Sequence, residues 1–215
     1  MNKLTILASS CDRYQQWWNP WRESFNRHWS DCSYPRKIIS NKIIGQDLLE
    51  VGEDLGWNRM LKTALTKVDS EYILLTLENH LLWSKPEGFE KVIEILDQDP
   101  TIGIIQLSKC WPTEIDYPVW PVLGEYSREH HPFKACSLSA TAIWRKTLLF
   151  EMVNRLIDTI PEKQDQGRQG AVEFEVEGTK YWTANVDGKY QWRILGINRY
   201  GAGGEGIYRF ENASY

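Results

Sequence analysis

The chain has 215 residues, 42% of them hydrophobic and 25% charged, which suits one sizeable α/β domain over residues 1–215 better than two very small ones. A net charge of −4 offers no global attraction to nucleic acid, whose phosphates call for clustered Lys and Arg. Cys11, Cys32, Cys110 and Cys136 stand too far apart for a zinc knuckle or a disulfide scaffold, and read as reduced thiols of a cytoplasmic protein.

The first eleven residues, MNKLTILASSC, imitate a secretory signal, but the apolar core Leu4–Ala8 is shorter than the ~7–15 residues such a signal needs. No run is long enough to cross a membrane. Lys3–Ser9 therefore reads as a first strand, ending at the polar loop Ser10-Cys11-Asp12-Arg13-Tyr14. Trp17, Trp21, Phe25 and Trp29 then recur every four residues, which is one face of a helix laid on a core. Asn19-Pro20 kinks that helix or restarts it, since Pro is tolerated in a first turn. Eleven tryptophans and ten tyrosines are consistent with core filling or with ring faces that stack on sugars and bases.

Arg36–Ser40 and Leu48–Val51 are short strands, and Met60, Leu61, Ala64, Leu65 and Val68 share one face of a helix from Trp57 to Val68. Glu71–Leu77 is a continuous apolar strand of the kind buried on both faces of a parallel sheet. It breaks at Glu78-Asn79-His80. Ser84 and Glu87 have the spacing of a capping box, predicting a helix from there to Asp97, and Thr101–Leu107 is the next strand. This α-β-α-β alternation predicts a mostly parallel sheet covered by helices. Residues 108–134, with Pro112, Pro118, Pro121 and Pro132, carry no periodicity. Order is expected again in a strand over Ala135–Trp144, a helix over Lys146–Ile157, a short helix over AVEFEVEGTKYW, and a glycine-rich tail with a final short strand.

In an open α/β sheet, ligands bind beyond the carboxyl ends of the strands, where loops and helix N-termini converge. Ser9–Tyr14 and Glu78–His80 sit there, polar where their strands are apolar. The blocks ILASSCDRY, GWNRMLKTAL, EYILLTLENHLLW, FKACSLSATAIWRKTLL and VEFEVEGTKYW, in this order, resemble those of small bacterial and viral glycosyltransferases with the GT-A (Rossmann-like) fold that build surface polysaccharides. The resemblance covers nearly the whole chain and rests on order and spacing more than on one motif.

It implies transfer of a sugar from a nucleotide-sugar donor to an acceptor hydroxyl of a glycan or a lipid-linked glycan, with inversion. It also implies a cytoplasmic protein that meets the membrane peripherally, if at all. Such chemistry needs stabilisation of a departing nucleoside diphosphate and a base for the acceptor proton. The family's acidic pair, which holds a divalent metal, falls here on Glu78 and Asn79, with His80 next. A neutral amide in place of one acid leaves two routes open. Either Glu78 and His80 hold manganese or magnesium, or cations take over the diphosphate, with Arg13, Arg59, Lys62 and Arg199 as candidates. Glu78-Asn79-His80 as a simple strand terminus is the plain alternative.

The resemblance also implies that Ser9, Asp12, Arg13 and Tyr14 receive base and ribose, with Asn79 close by; the competing role for Asp12 is a helix cap. Arg59 and Lys62, three apart on a helix, share a face toward phosphate or toward solvent. In VEFEVEG the resemblance implies Glu173 as general base, while Glu175, two residues on, diverges by about 200° on a helix. Trp111, Tyr117, Trp120 and Tyr126, with Ser137–Thr141, would wall the acceptor. His130-His131 lacks spaced partners for zinc. Gly201–Gly206 lacks the context of a P-loop. A non-catalytic nucleotide-sugar or glycan-binding module of the same fold is the second reading, kept open by Asn79. A nucleotidyltransferase is disfavoured, because no glycine-rich, lysine-containing loop follows the first strand.

Overall fold

The computed structural model describes residues 2–82, 85–86, 88–107, 123–127, 141–186, 189–197 and 208–210. Its strands are β1 (Asn2–Ser9), β2 (Arg36–Ser40), β3 (Leu48–Glu50), β4 (Ser70–Leu77), β5 (His80–Leu82), β6 (Ile102–Gln106), β7 (Leu123–Ser127), β8 (Ala142–Arg145), β9 (Gln191–Ile197) and β10 (Tyr208–Phe210). The helices are α1 (Trp18–His28), α2 (Trp57–Lys67), α3 (Phe89–Gln98), α4 (Lys146–Thr159) and α5 (Gly167–Tyr181). The eight-stranded sheet has the order β3-β2-β1-β4-β8-β6-β9-β7. β1, β2, β3, β4, β6 and β9 run in one direction, while β8 is antiparallel to β4 and β6, and β7 to β9.

The apolar strands alternate between two cores because successive side chains leave a strand on opposite faces. Leu4, Ile6, Ala8, Tyr72 and Leu74 point to α1 and α3, whose Trp18, Trp21, Phe25, Phe89 and Val92 complete one cluster. Leu7, Ile73 and Leu75 point to the other face, where α2, α4 and α5 supply Leu61, Leu149, Met152 and Phe174. The α/β architecture with a mostly parallel sheet between helical layers is thus the one the alternation predicted. Most of the tryptophan stripe is core: Trp21, Phe25 and Trp29 are buried, with the Trp21 and Phe25 rings 4.5 Å apart, whereas Trp17 lies half-buried in the turn before α1 and its neighbour Trp18 enters the core instead. Each such side chain contributes about 1.5–3 kcal/mol by leaving water.

Local differences have local causes. Asp12–Trp17 winds as a 3₁₀ turn before α1, and Pro20 falls in the first turn of α1, where no N–H is missed. α3 begins at Phe89 with Gly88 in the cap position, later than the capping-box spacing predicted; Ser84 and Glu87 lie outside the described residues. AVEFEVEGTKYW is helical as predicted but is part of a longer helix: Ala171–Tyr181 lie in α5, Trp182 opens the turn after it, and Phe174, Tyr181 and Trp182 join the core with α2 and α4. β5, β7 and β9 are additions to the predicted elements, β7 arising inside the 108–134 stretch read as irregular and pairing with β9; β5 pairs with the short strand β10. Arg145 ties the sheet to the C-terminus of α3, donating to the carbonyls of Leu96, Asp99 and Ile102 at 2.5, 2.9 and 2.7 Å. Among the described residues no helix is long and apolar enough to cross a membrane.

Candidate functional site

From β1 the chain passes to β2 on one side, while β4 lies on the other, so the carboxyl ends of β1 and β4 form the topological switch point of the sheet. Register pairs Ser9 with Leu77, so the next residues, Ser10 and Glu78, leave the sheet side by side. Trp18 Nε1 donates to Ser10 Oγ at 2.8 Å, and the Ser10 hydroxyl is hydrogen-bonded to the Glu78 carboxyl. Glu78 is 9% exposed; burial raises its pKa to about 7, against the pull of its own backbone amide and of Ser10. The group therefore carries a proton in an appreciable fraction of molecules at neutral pH.

Two residues on, His80 is buried with Nδ1 3.1 Å from Thr141 Oγ1, which in turn lies 3.3 Å from Thr76 Oγ1. Burial pushes the imidazole down to about 3, so it is neutral at physiological pH. Between them, Asn79 Oδ1 is buried without a hydrogen-bond partner among the described residues. As a metal set these residues fit poorly. Glu78 and His80 have different neighbours, Ser10 just after β1 and Thr141 just before β8, Asn79 brings no charge, and among the described residues no three His, Cys, Asp or Glu side chains gather at one point.

Asp12 joins the loops that leave the carboxyl ends of β1 and β2. Its carboxylate accepts the backbone N–H of Asn41 at 2.8 Å and of Lys42 at 2.9 Å, while its own N–H donates to Asn41 Oδ1 at 3.0 Å. This reciprocal clamp joins the loops after β1 and β2, a role different from a cap on α1. Ser9 is buried, Arg13 is exposed beside the clamp, and Tyr14 is half-buried against the α2–α4–α5 core.

The N-terminus of α2 is closed by Asp165, a residue that no sequence motif marks. Asp165 is fully buried. Its backbone carbonyl accepts Trp57 N–H at 2.5 Å, and its Oδ1 accepts Asn58 N–H at 3.0 Å and Asn58 Nδ2 at 2.6 Å. Gly56 precedes the helix at φ +107°, and a Cβ there would meet Asp165 Oδ2 at 2.5 Å, so the approach requires glycine. Gly170 on α5 is equally tight: a Cβ at that position would lie 2.5 Å from Asp165 O and 2.6 Å from Trp57 Cβ. Arg59 Nη1 reaches Asp165 Oδ2 at 3.2 Å, so this expected phosphate ligand is engaged in a buried ion pair. Lys62 is half-buried one turn further along. One signal for the arrangement did exist: a strongly amphipathic helix starting at Gly56-Trp57 has no Ser, Thr, Asp or Asn at its cap, so its first amides must be satisfied from elsewhere.

α5 starts beside this knot, with Tyr14 Oη near Gly167. Phe174 enters the core between Trp57 and Trp144, at ring distances of 4.5 and 6.4 Å. Glu173, next to it, is half-buried and accepts a 2.6 Å hydrogen bond from Gln169 Nε2; Glu175 is also half-buried and turned away along the helix. Of the remaining sequence candidates, Arg199, Trp111, Tyr117, Trp120, His130, His131, residues 137–140 and Gly201–Gly206 lie outside the described residues, and Tyr126 is described only as backbone of β7.

No protein-family model matches the chain, and no curated protein sequence does. Solved structures do. Staphylococcus aureus TarS 1–349 superposes with a TM-score of 0.55 at 12% identity, over 92% of this chain and 59% of that one. The same protein in complex with UDP-GlcNAc gives 0.52 at 12% identity, over 96% and 60%. The glycosyltransferase GlyE of Streptococcus pneumoniae TIGR4 gives 0.51 at 10% identity, over 89% and 45%. The likeness is one of fold, and the chain spans less than two thirds of the length of these structures.

Proposed function

We propose that this chain is a glycosyltransferase domain, spanning residues 1–215, that binds a nucleotide-sugar donor at the β1–β4 switch point. It passes the sugar, with inversion, to a hydroxyl of a glycan or lipid-linked glycan, the latter reached at a membrane surface. The observation that carries the reading is the set of polar side chains, Ser10, Asp12, Asn41, Glu78 and Thr141, gathered at the carboxyl edge of an otherwise apolar sheet. Its fold is shared with a protein solved in complex with UDP and with UDP-GlcNAc.

The clamp between Asp12 and Asn41 preorganises the loop that receives base and ribose, and Tyr14 lies at its end. Arg13 and Lys62 stabilise the departing diphosphate, since Arg59 is committed to Asp165. Glu78, able to keep its proton near neutrality, tolerates that dianion and donates a hydrogen bond to it. Glu173 takes the acceptor proton.

The second reading, a binding module without turnover, draws on the single carboxylate that Glu78-Asn79-His80 retains. Thermal-shift titration with UDP-, GDP- and dTDP-sugars, each with manganese and with EDTA, separates the two when followed by donor-hydrolysis assays. Stabilisation by a nucleotide sugar with hydrolysis supports the enzyme, and stabilisation without hydrolysis under any condition supports the module. No stabilisation by any donor removes both, and a manganese requirement would return Glu78 and His80 to a metal.

A further inference from the structure

At the amino ends of β2 and β3, away from the switch point, α1 and the loop before β2 enclose an open groove of about 580 Å³. That volume is ample for a short oligosaccharide. Among the described residues, Arg22, Arg36 and Lys37 line it with a single acid, Asp47, an excess of two positive charges on a chain whose total is −4. All three cations are held in place. Arg22 grips Asp47 through Nε and Nη2 at 2.5 and 2.9 Å. Arg36 donates to Asn26 Oδ1 at 3.0 Å with its guanidinium 5.9 Å from the Phe25 ring, and Lys37 donates to the Gln46 carbonyl at 2.9 Å.

Each contact uses only part of the donor capacity of its cation, so Arg36 and Lys37 keep N–H groups for a ligand whose binding need not order them. Tyr34 adds a half-buried ring to the wall. Trp21, also on the wall, is 1% exposed, and its Nε1 has no hydrogen-bond partner among the described residues.

We propose that this groove holds an acidic saccharide, a glycan unit bearing a carboxylate or phosphate, apart from the transfer site. Fixed cations bind the anion, and Tyr34 packs against the sugar ring. The choice of a glycan rests on the glycosyltransferase reading; the anion preference rests on the groove alone. A polymer held there stays near the transfer site between transfers, which raises its effective concentration.

Calorimetric titration at low ionic strength with tetragalacturonate, glucose 6-phosphate, maltotetraose and inorganic phosphate tests this. Tetragalacturonate or glucose 6-phosphate should bind and maltotetraose should not, and the Arg36→Gln/Lys37→Gln double variant should weaken binding about tenfold. Lys37→Glu, which costs one hydrogen bond to a backbone carbonyl, serves if the double variant unfolds. Equal binding of maltotetraose, unaltered binding by the variants, no binding by either anionic sugar, or inorganic phosphate matching glucose 6-phosphate would each overturn the proposal. The wild-type response to UDP-GlcNAc, measured alongside, reports on the transfer site separately.

Discussion

Asp165 and Asn58, 107 positions apart, meet in a buried double hydrogen bond in which one carboxylate oxygen takes both the backbone N–H and the side-chain amide of Asn58. The contact fastens the loop before α5 onto the first turn of α2, and so joins α2 to the helix that carries Glu173.

Replacing Asp165 should therefore be costly. Asp165→Ala leaves two α2 amides and the Arg59 guanidinium without their acceptor, and a loss of about 3 kcal/mol is expected. Arg59→Met strands the buried carboxylate and should also destabilise. Because both variants break one ion pair, urea denaturation of the double variant should show a loss well below the sum; strict additivity would show that the pair is not coupled.

Stability should respond to pH through two buried groups of opposite sign. Glu78 rises from 4.5 to about 7 on folding, so its contribution is complete below pH 4.5 and is lost as pH climbs toward 7. His80 falls from 6.5 to about 3, so its contribution is complete above pH 6.5 and is lost as pH drops toward 3. Between pH 4.5 and 6.5 the two slopes, about 1.4 kcal/mol per pH unit each, nearly cancel. Glu78→Gln should leave stability rising with pH across this window, and His80→Gln should leave it falling. Parallel profiles for wild type and both variants would exclude this account.

The packing of α5 rests on one ring. Phe174 is fully buried between Trp57 and Trp144, and Phe174→Ala should cost about 3–5 kcal/mol through lost transfer energy and the cavity left behind. Calorimetric unfolding measures it. A loss under about 1 kcal/mol would mean that α5 is not anchored there.

Once a donor and an acceptor are in hand, Glu173→Gln should lower transfer by about 10²-fold or more while donor affinity stays within a few-fold. Glu175→Gln, diverging by about 200° on the same helix, should leave both near wild type. Loss of donor binding in Glu173→Gln would assign that side chain to recognition instead.

Much of this was legible in order along the chain. Glu71–Leu77 announced a strand buried on both faces, Trp17–Trp29 a helix stripe, and the polar breaks after Ser9 and Leu77 marked the carboxyl edge, because periodicity and composition are local properties. The role of Arg59 was not legible. Its spacing of three from Lys62 suggested a shared helix face toward phosphate or solvent, whereas its ion pair with Asp165 depends on a segment more than a hundred residues away. The same holds for Asp12, read as a base or ribose contact with a helix cap as the alternative, whose carboxylate accepts the amides of Asn41 and Lys42.

The contrast is sharpest at Glu78-Asn79-His80. Order along the chain dictates which groups stand there: one acid, one amide and one imidazole at the end of a central strand. Their chemical state comes from packing, since burial beside Ser10 and Thr141 protonates the carboxyl near neutrality and keeps the imidazole neutral. Desolvation is set by everything gathered around a group, and those surroundings are assembled from strands and helices remote in the chain.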